Sequence, residues 1–145
     1  MGRGVRPAYH VPSDVPLKLK VYTSNVLAGV EFIYDTGAQH VFINYETARV
    51  LFGPDYFDIN RRRVVALGSV DAYGNHAAEY LFPPAKIQVS HPSTRVRSTV
   101  VVNPVVCKVG LNLLGLTCIC QLPWDVVFDK VEPTPRVYQT LPVDW

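Results

Sequence analysis

The chain lacks a cysteine framework, a long apolar run and any large block of like charge. Its three cysteines, Cys107, Cys118 and Cys120, are an odd count that makes no disulfide scaffold. Cys118-x-Cys120 misses the two-residue gap of a redox pair, so ordinary burial is the simpler use of both. No stretch approaches the ~20 apolar residues of a membrane helix. The opening, Met1 to Pro16, is broken by Pro7, Pro12 and Pro16 where a signal peptide needs an apolar run. Arg6 stands where a myristoylation signal after Gly2 wants Ser or Thr. An intracellular, cytoplasmic setting is therefore expected.

Charge is also scarce, at 18% of residues and net +2. Residues 1–20 hold four cationic side chains against Asp14, a net +3, which leaves −1 for the rest. A near-neutral body offers no electrostatic case for nucleic acid or an anionic membrane as partner. Arg61-Arg62-Arg63 reads as a solvated loop. The four histidines (His10, His40, His76, His91) are scattered without metal spacing, so neither metal nor cofactor is expected. There is no nucleophile elbow or Ser/His/Asp arrangement, and Gly110 to Gly115 lacks the spacing and Lys of a phosphate-binding loop.

What remains is a chain of 145 residues, 48% hydrophobic, long enough for one packed domain. Six of its twelve prolines fall within sixteen residues of either end. The expected organisation is an extended arm over 1–15, a domain over 16–129 and a tail over 130–145. Within the domain, Leu17 to Tyr22 alternates apolar with polar at period two, the pattern of a half-buried strand. Val30 to Tyr34 and Val41 to Ile43 read as further strands, followed by a helix from Asn44, a good N-cap, to Phe52, ended by Gly53-Pro54. Val64 to Leu67 and Ala77 to Phe82 read as strands joined through Gly68 to His76. Ala85 to Val89 and Val96 to Val102 make a second hairpin, Leu116 to Leu122 a second helix, and Trp124 to Asp129 a last strand.

The strand Val30 to Tyr34 runs straight into Asp35-Thr36-Gly37-Ala38. Such a strand delivers a carboxylate to the floor of a cleft, a Thr hydroxyl can fix the turn, and a Gly allows close backbone approach or positive φ. Two such carboxylates facing each other split their titration, one staying protonated and one charged, and can then activate water and protonate a leaving amide. Only one Asp-Thr-Gly is present, so a dyad needs a second copy of the chain across a two-fold axis.

Phe32-Ile33-Tyr34-Asp35-Thr36-Gly37-Ala38 resembles the active-site strand of the retropepsin-like aspartic proteases. Val41 to Phe52 resembles the segment that follows it in cellular members, and Asn112-Leu113-Leu114-Gly115-Leu116 resembles the second family signature. The resemblance spans roughly residues 16–129. It implies a mostly β fold, a retropepsin-like acid protease barrel with one lobe per chain and two short helices. It also implies an aspartic endopeptidase acting on polypeptide as a homodimer. Asp35 would be catalytic. Thr36 and Gly37 would hold the interlocked base of the dyad, Ala38 would line the cleft, and Leu114 with Gly115 would support the Asp35 loop. Asp71, Ala72, Tyr73 and Gly74 would cover substrate from a flap, and Trp124 to Asp129 would build the dimer sheet. Trp124 and Trp145 are the candidate interface anchors, Trp124 the better placed because it starts that strand. Ala38, Val70 and Ala72 would favour apolar or aromatic side chains beside the scissile bond.

The chain departs from the family at three points. Gln39 and Leu116 replace the acidic and Arg residues whose ion pair braces retroviral dimers, and Tyr34 replaces a smaller aliphatic residue. Two other readings stay open. One is a catalytically inactive dimerisation or peptide-binding module on the same fold; the other is an unrelated β-barrel in which the tripeptide is accidental. A free Met1 and proline-broken ends point to a stand-alone chain, with a polyprotein fragment as the alternative.

Overall fold

A computed structural model describes residues 7–11, 16–70, 76–108 and 110–128. They form eleven strands and three short helices in the order β1 (Ala8–Val11), β2 (Lys18–Tyr22), β3 (Val30–Tyr34), β4 (Phe42–Asn44), α1 (Tyr45–Phe52), α2 (Tyr56–Asn60), β5 (Val65–Val70), β6 (His76–Leu81), β7 (Ala85–Ser90), β8 (Arg97–Val102), β9 (Val105–Cys107), β10 (Leu113–Leu114), α3 (Leu116–Ile119) and β11 (Asp125–Phe128). The fold is mostly β. Among the described residues no helix is long and apolar enough to cross a membrane.

Nine strands make one sheet in the order β5-β6-β9-β4-β10-β3-β2-β7-β8, and β1 pairs in parallel with β11 in a second, two-stranded sheet. Alternation along the strands divides the interior in two. Leu19, Val21, Phe32, Tyr34, Ile43, Ile87, Val89, Val100, Val106 and Leu114 point into the main core. The intervening positions on the central strands, Phe42, Val105, Cys107 and Leu113, join Ala38 in a smaller cluster on the opposite face.

Helix α1 starts where Asn44 predicts it, the Asn44 side chain accepting a hydrogen bond from Thr47 N–H at 2.8 Å. It buries Thr47, Ala48 and Leu51. Helix α3 is shorter than expected, ending at Ile119 rather than Leu122. Helix α2, which makes three helices instead of two, falls between the helix expected to end at Gly53-Pro54 and the strand expected from Val64. Its cause is tertiary: Tyr56 stacks on Phe52 and Phe82 with centroids 4.4 and 4.8 Å apart, and Phe57 meets Tyr80 and Phe82 edge-on. Burial of that kind holds a five-residue helix that propensity alone would not. Burial also pushes the Tyr56 hydroxyl up to about 12.

The segment read as an extended N-terminal arm contributes β1. Trp124, expected as an interface anchor, is instead buried within its own chain, its ring 4.8 Å from that of His91. The His91 Nδ1 accepts from Ser93 and Thr94 N–H groups at 3.1 and 3.2 Å, so this histidine closes the β7–β8 turn. Trp145 and the tail over 130–145 lie outside the described residues.

Asn112 ties distant elements together. Its side-chain oxygen accepts from Asn44 N–H at 3.0 Å, its amide donates to Thr47 Oγ1 at 3.0 Å, and its carbonyl accepts from Ile33 N–H at 2.9 Å. Asn112→Ala strands a donor and an acceptor at the start of α1 and should cost about 1–3 kcal/mol. Urea unfolding measures it, and a loss below about 0.5 kcal/mol would contradict this role.

Candidate active site

Strands β3 and β4 are consecutive in sequence but not adjacent in the sheet, because β10 lies between them, parallel to β3 and antiparallel to β4. Residues 35–41 must therefore bridge across the end of β10, and Asp35 opens that bridge. Its N–H donates to the Leu114 carbonyl at 3.0 Å, just after Tyr34 N–H has donated to Leu17 at 2.8 Å. Beyond it, Leu116 N–H donates to the Ala38 carbonyl at 2.8 Å and Thr117 N–H to Gln39 at 3.0 Å. The first N–H groups of α3, which have no partner within the helix, thus hold the far side of the loop.

Gly115 makes this approach possible. A Cβ there would stand 2.2 Å from the His40 carbonyl oxygen and 2.6 Å from that of Ala38, both backbone atoms. Gly37, for which positive φ was one expected use, does not need it; the described glycines with positive φ are Gly53 and Gly110.

Asp35 itself is fully buried. Its Oδ1 accepts from Gly37 N–H at 2.8 Å, while Oδ2 is buried without a hydrogen-bond partner among the described residues. Burial raises the Asp35 pKa above the ordinary carboxylate value, opposed by the Gly37 and Ala38 N–H groups. Thr36 and Gly37 lie exposed beside it, and Ala38 turns back into the smaller apolar cluster.

That cluster reaches the β5–β6 hairpin, whose Leu67 and Leu81 pack against it. On the same hairpin, Glu79 pairs in register with Leu67 and Cys107. It is 5% exposed, and its Oε1 has no hydrogen-bond partner among the described residues. Burial first, and the Glu79 charge second, push the Cys107 thiol up to about 12. Sequence reading passed over Glu79. The available signal was a charge in a strand whose two period-two sets, Ala77 with Leu81 and Ala78 with Tyr80 and Phe82, are otherwise apolar.

The proposed flap residues Asp71, Ala72, Tyr73 and Gly74 lie outside the described residues. Their flanking strands are described, and pair from Val65↔Leu81 to Val70↔His76. Of the departures from the family pattern, Leu116 is 42% exposed and Gln39 is exposed. Tyr34 is buried in the main core, where burial first, then Asp125 and Cys118, raise its hydroxyl pKa. An open hollow of about 810 Å³ lies between Tyr22, Asn25, Leu51, Tyr56, Lys86 and Arg97, and Asp35 does not line it.

No family model and no curated protein matches the chain. Among solved structures it is similar to the EIAV protease complexed with the inhibitor HBY-793, at 12% identity and a TM-score of 0.40, covering 74% of this chain and 86% of that one.

Two consequences are measurable. A folded-state pKa raised above the unfolded one means that the stability contributed by Asp35 is fully present below the unfolded carboxylate pKa and is lost as pH rises through the folded one. Asp35→Asn should therefore raise Tm at pH 7, with the gain shrinking toward pH 3. Thermal melts across that range test it, and equal Tm at pH 7 would refute it. Gly115→Ala forces a Cβ onto two carbonyls that cannot rotate away, and should cost about 3 kcal/mol or abolish folding. Denaturant unfolding that shifts by less than about 1 kcal/mol would show that the contact is not required.

Proposed function

We propose that this chain is one lobe of a retropepsin-like aspartic endopeptidase that hydrolyses polypeptide as a homodimer, each copy supplying Asp35. The observation that carries the reading is the state of Asp35: a buried carboxylate with one oxygen held by Gly37 N–H and the other without a partner, on a loop clamped by Leu114 and α3. A lone carboxylate in that setting is costly, and perturbed carboxyls of this kind concentrate at functional sites.

The second copy would complete what one chain lacks. Brought face to face, two Asp35 carboxyls cannot both ionise, so they share a proton. The charged one accepts a proton from water as the water oxygen attacks the peptide carbonyl carbon. The protonated one donates to the leaving nitrogen as the C–N bond breaks, giving a carboxylic acid and an amine. Thr36 and Gly37 are exposed where a partner loop would meet them, which suits their proposed role at the base of the dyad. Among the described residues the β1–β11 sheet has only two strands, too few to be stable by themselves, which suits pairing with a second copy. Ala38 would line the cleft, Leu114 and Gly115 would support its floor, and Asp71, Ala72, Tyr73 and Gly74 would cover the substrate. An accidental tripeptide would give no reason for the Leu114-Gly115 segment to lie beneath it, whereas Asp35 N–H and the Leu114 carbonyl are hydrogen-bonded.

The test is cleavage of a peptide library from pH 3 to 7 beside Asp35→Asn. The expected result is cleavage that rises more steeply than linearly with protein concentration and falls at least about 10³-fold in the variant. No cleavage at any pH from a chain shown by sedimentation to be a folded dimer would replace the protease with a peptide-binding module.

A further inference from the structure

Glu79 is the buried group that the proposed chemistry leaves unused. It is 5% exposed, and among the described residues its Oε1 has no hydrogen-bond partner. Its register partners are Leu67, which is apolar, and Cys107, whose thiol, held protonated at neutral pH, brings no cation. Lys108 follows Cys107 but is exposed, and lines a separate hollow with Tyr45, Phe57 and Tyr80. A buried carboxyl oxygen without a partner is costly, and a matching cation or donor removes most of that cost.

Among the described residues no group of three metal-ligating side chains comes together. A long basic side chain would bring a single cation that needs no further ligands. Its methylenes would lie along Leu67 and Leu81 while its head reached the Glu79 carboxylate. The same apolar cluster includes Ala38, three residues past Asp35, so the carboxylate and the candidate catalytic loop border one interior.

We propose that Glu79 forms a subsite for a Lys or Arg side chain of an extended polypeptide bound in this cleft, an inference that rests on the peptide-cleft reading given above. Apolar lining at Ala38 would set the residues beside the scissile bond, and Glu79 would add a requirement for one basic residue at a fixed distance from it.

The experiment uses the full chain carrying Asp35→Asn, so that peptides are bound and not turned over. Fluorescein-labelled decapeptides in which Lys is exchanged for norleucine at each position in turn are titrated by anisotropy at pH 7. At one position Lys should bind about 10-fold or more tightly than norleucine. Adding Glu79→Gln should bring that ratio close to unity, with far-UV circular dichroism reporting the fold; Glu79→Met, apolar and of similar size, repeats the test if the amide variant misfolds. A library in which no position favours Lys, or a preference that survives both substitutions, overturns the subsite. The two proposals fail separately. Cleavage by the unsubstituted chain without a basic preference keeps the protease and removes the subsite, whereas Glu79-dependent Lys preference in a chain that cleaves nothing does the reverse.

Discussion

Everything at the Asp35 site hangs on the passage of Leu113, Leu114 and Gly115 beneath the 35–41 loop. Two strands that would otherwise pair, β3 and β4, are held apart by a strand of two residues. The loop joining them is closed by hydrogen bonds to Leu114, Leu116 and Thr117. No side chain at 115 is compatible with that approach, since its Cβ would collide with the carbonyls of Ala38 and His40. The contact joins segments about eighty residues apart in sequence, so the site can form only when the sheet has closed around β10.

The second theme is charge kept away from water. A chain with little charge places two carboxylates, Asp35 and Glu79, in its interior, each with an oxygen that finds no hydrogen bond among the described residues. Protein interiors tolerate this where something outside the chain completes the site. For Asp35 the completing group we propose is the same residue of a second copy, which makes the half-site a reason for dimerisation. For Glu79 it is a basic side chain of the bound polypeptide. Both proposals answer one physical rule, that a buried polar group needs a partner.

Much of this was legible in the sequence, and the gaps have causes. Strands with one face on the core, such as β2 and the β7–β8 hairpin, show period two and were read nearly to their ends. Asn44 announced α1 by its capping chemistry. Strands β9 and β10 were missed because all their residues are buried, which leaves no alternation to read, and because three and two residues make no window. Helix α2 was hidden because aromatic partners distant in the chain hold it. At the site, the motif order around Asp35 and Gly115 pointed to segments that do meet. Glu79 is harder to read, since a single charge in an otherwise apolar strand is taken as exposed until register shows which face it occupies.

The central claim is that one chain carries half a site. The direct measurement is peptide cleavage at a fixed concentration of unsubstituted chain while Asp35→Asn chain is added in increasing excess. If the site is shared, activity falls progressively as mixed dimers with a single carboxyl replace complete ones. Activity that stays constant under a large excess of the variant would mean that Asp35 works without a second copy, and would contradict the account.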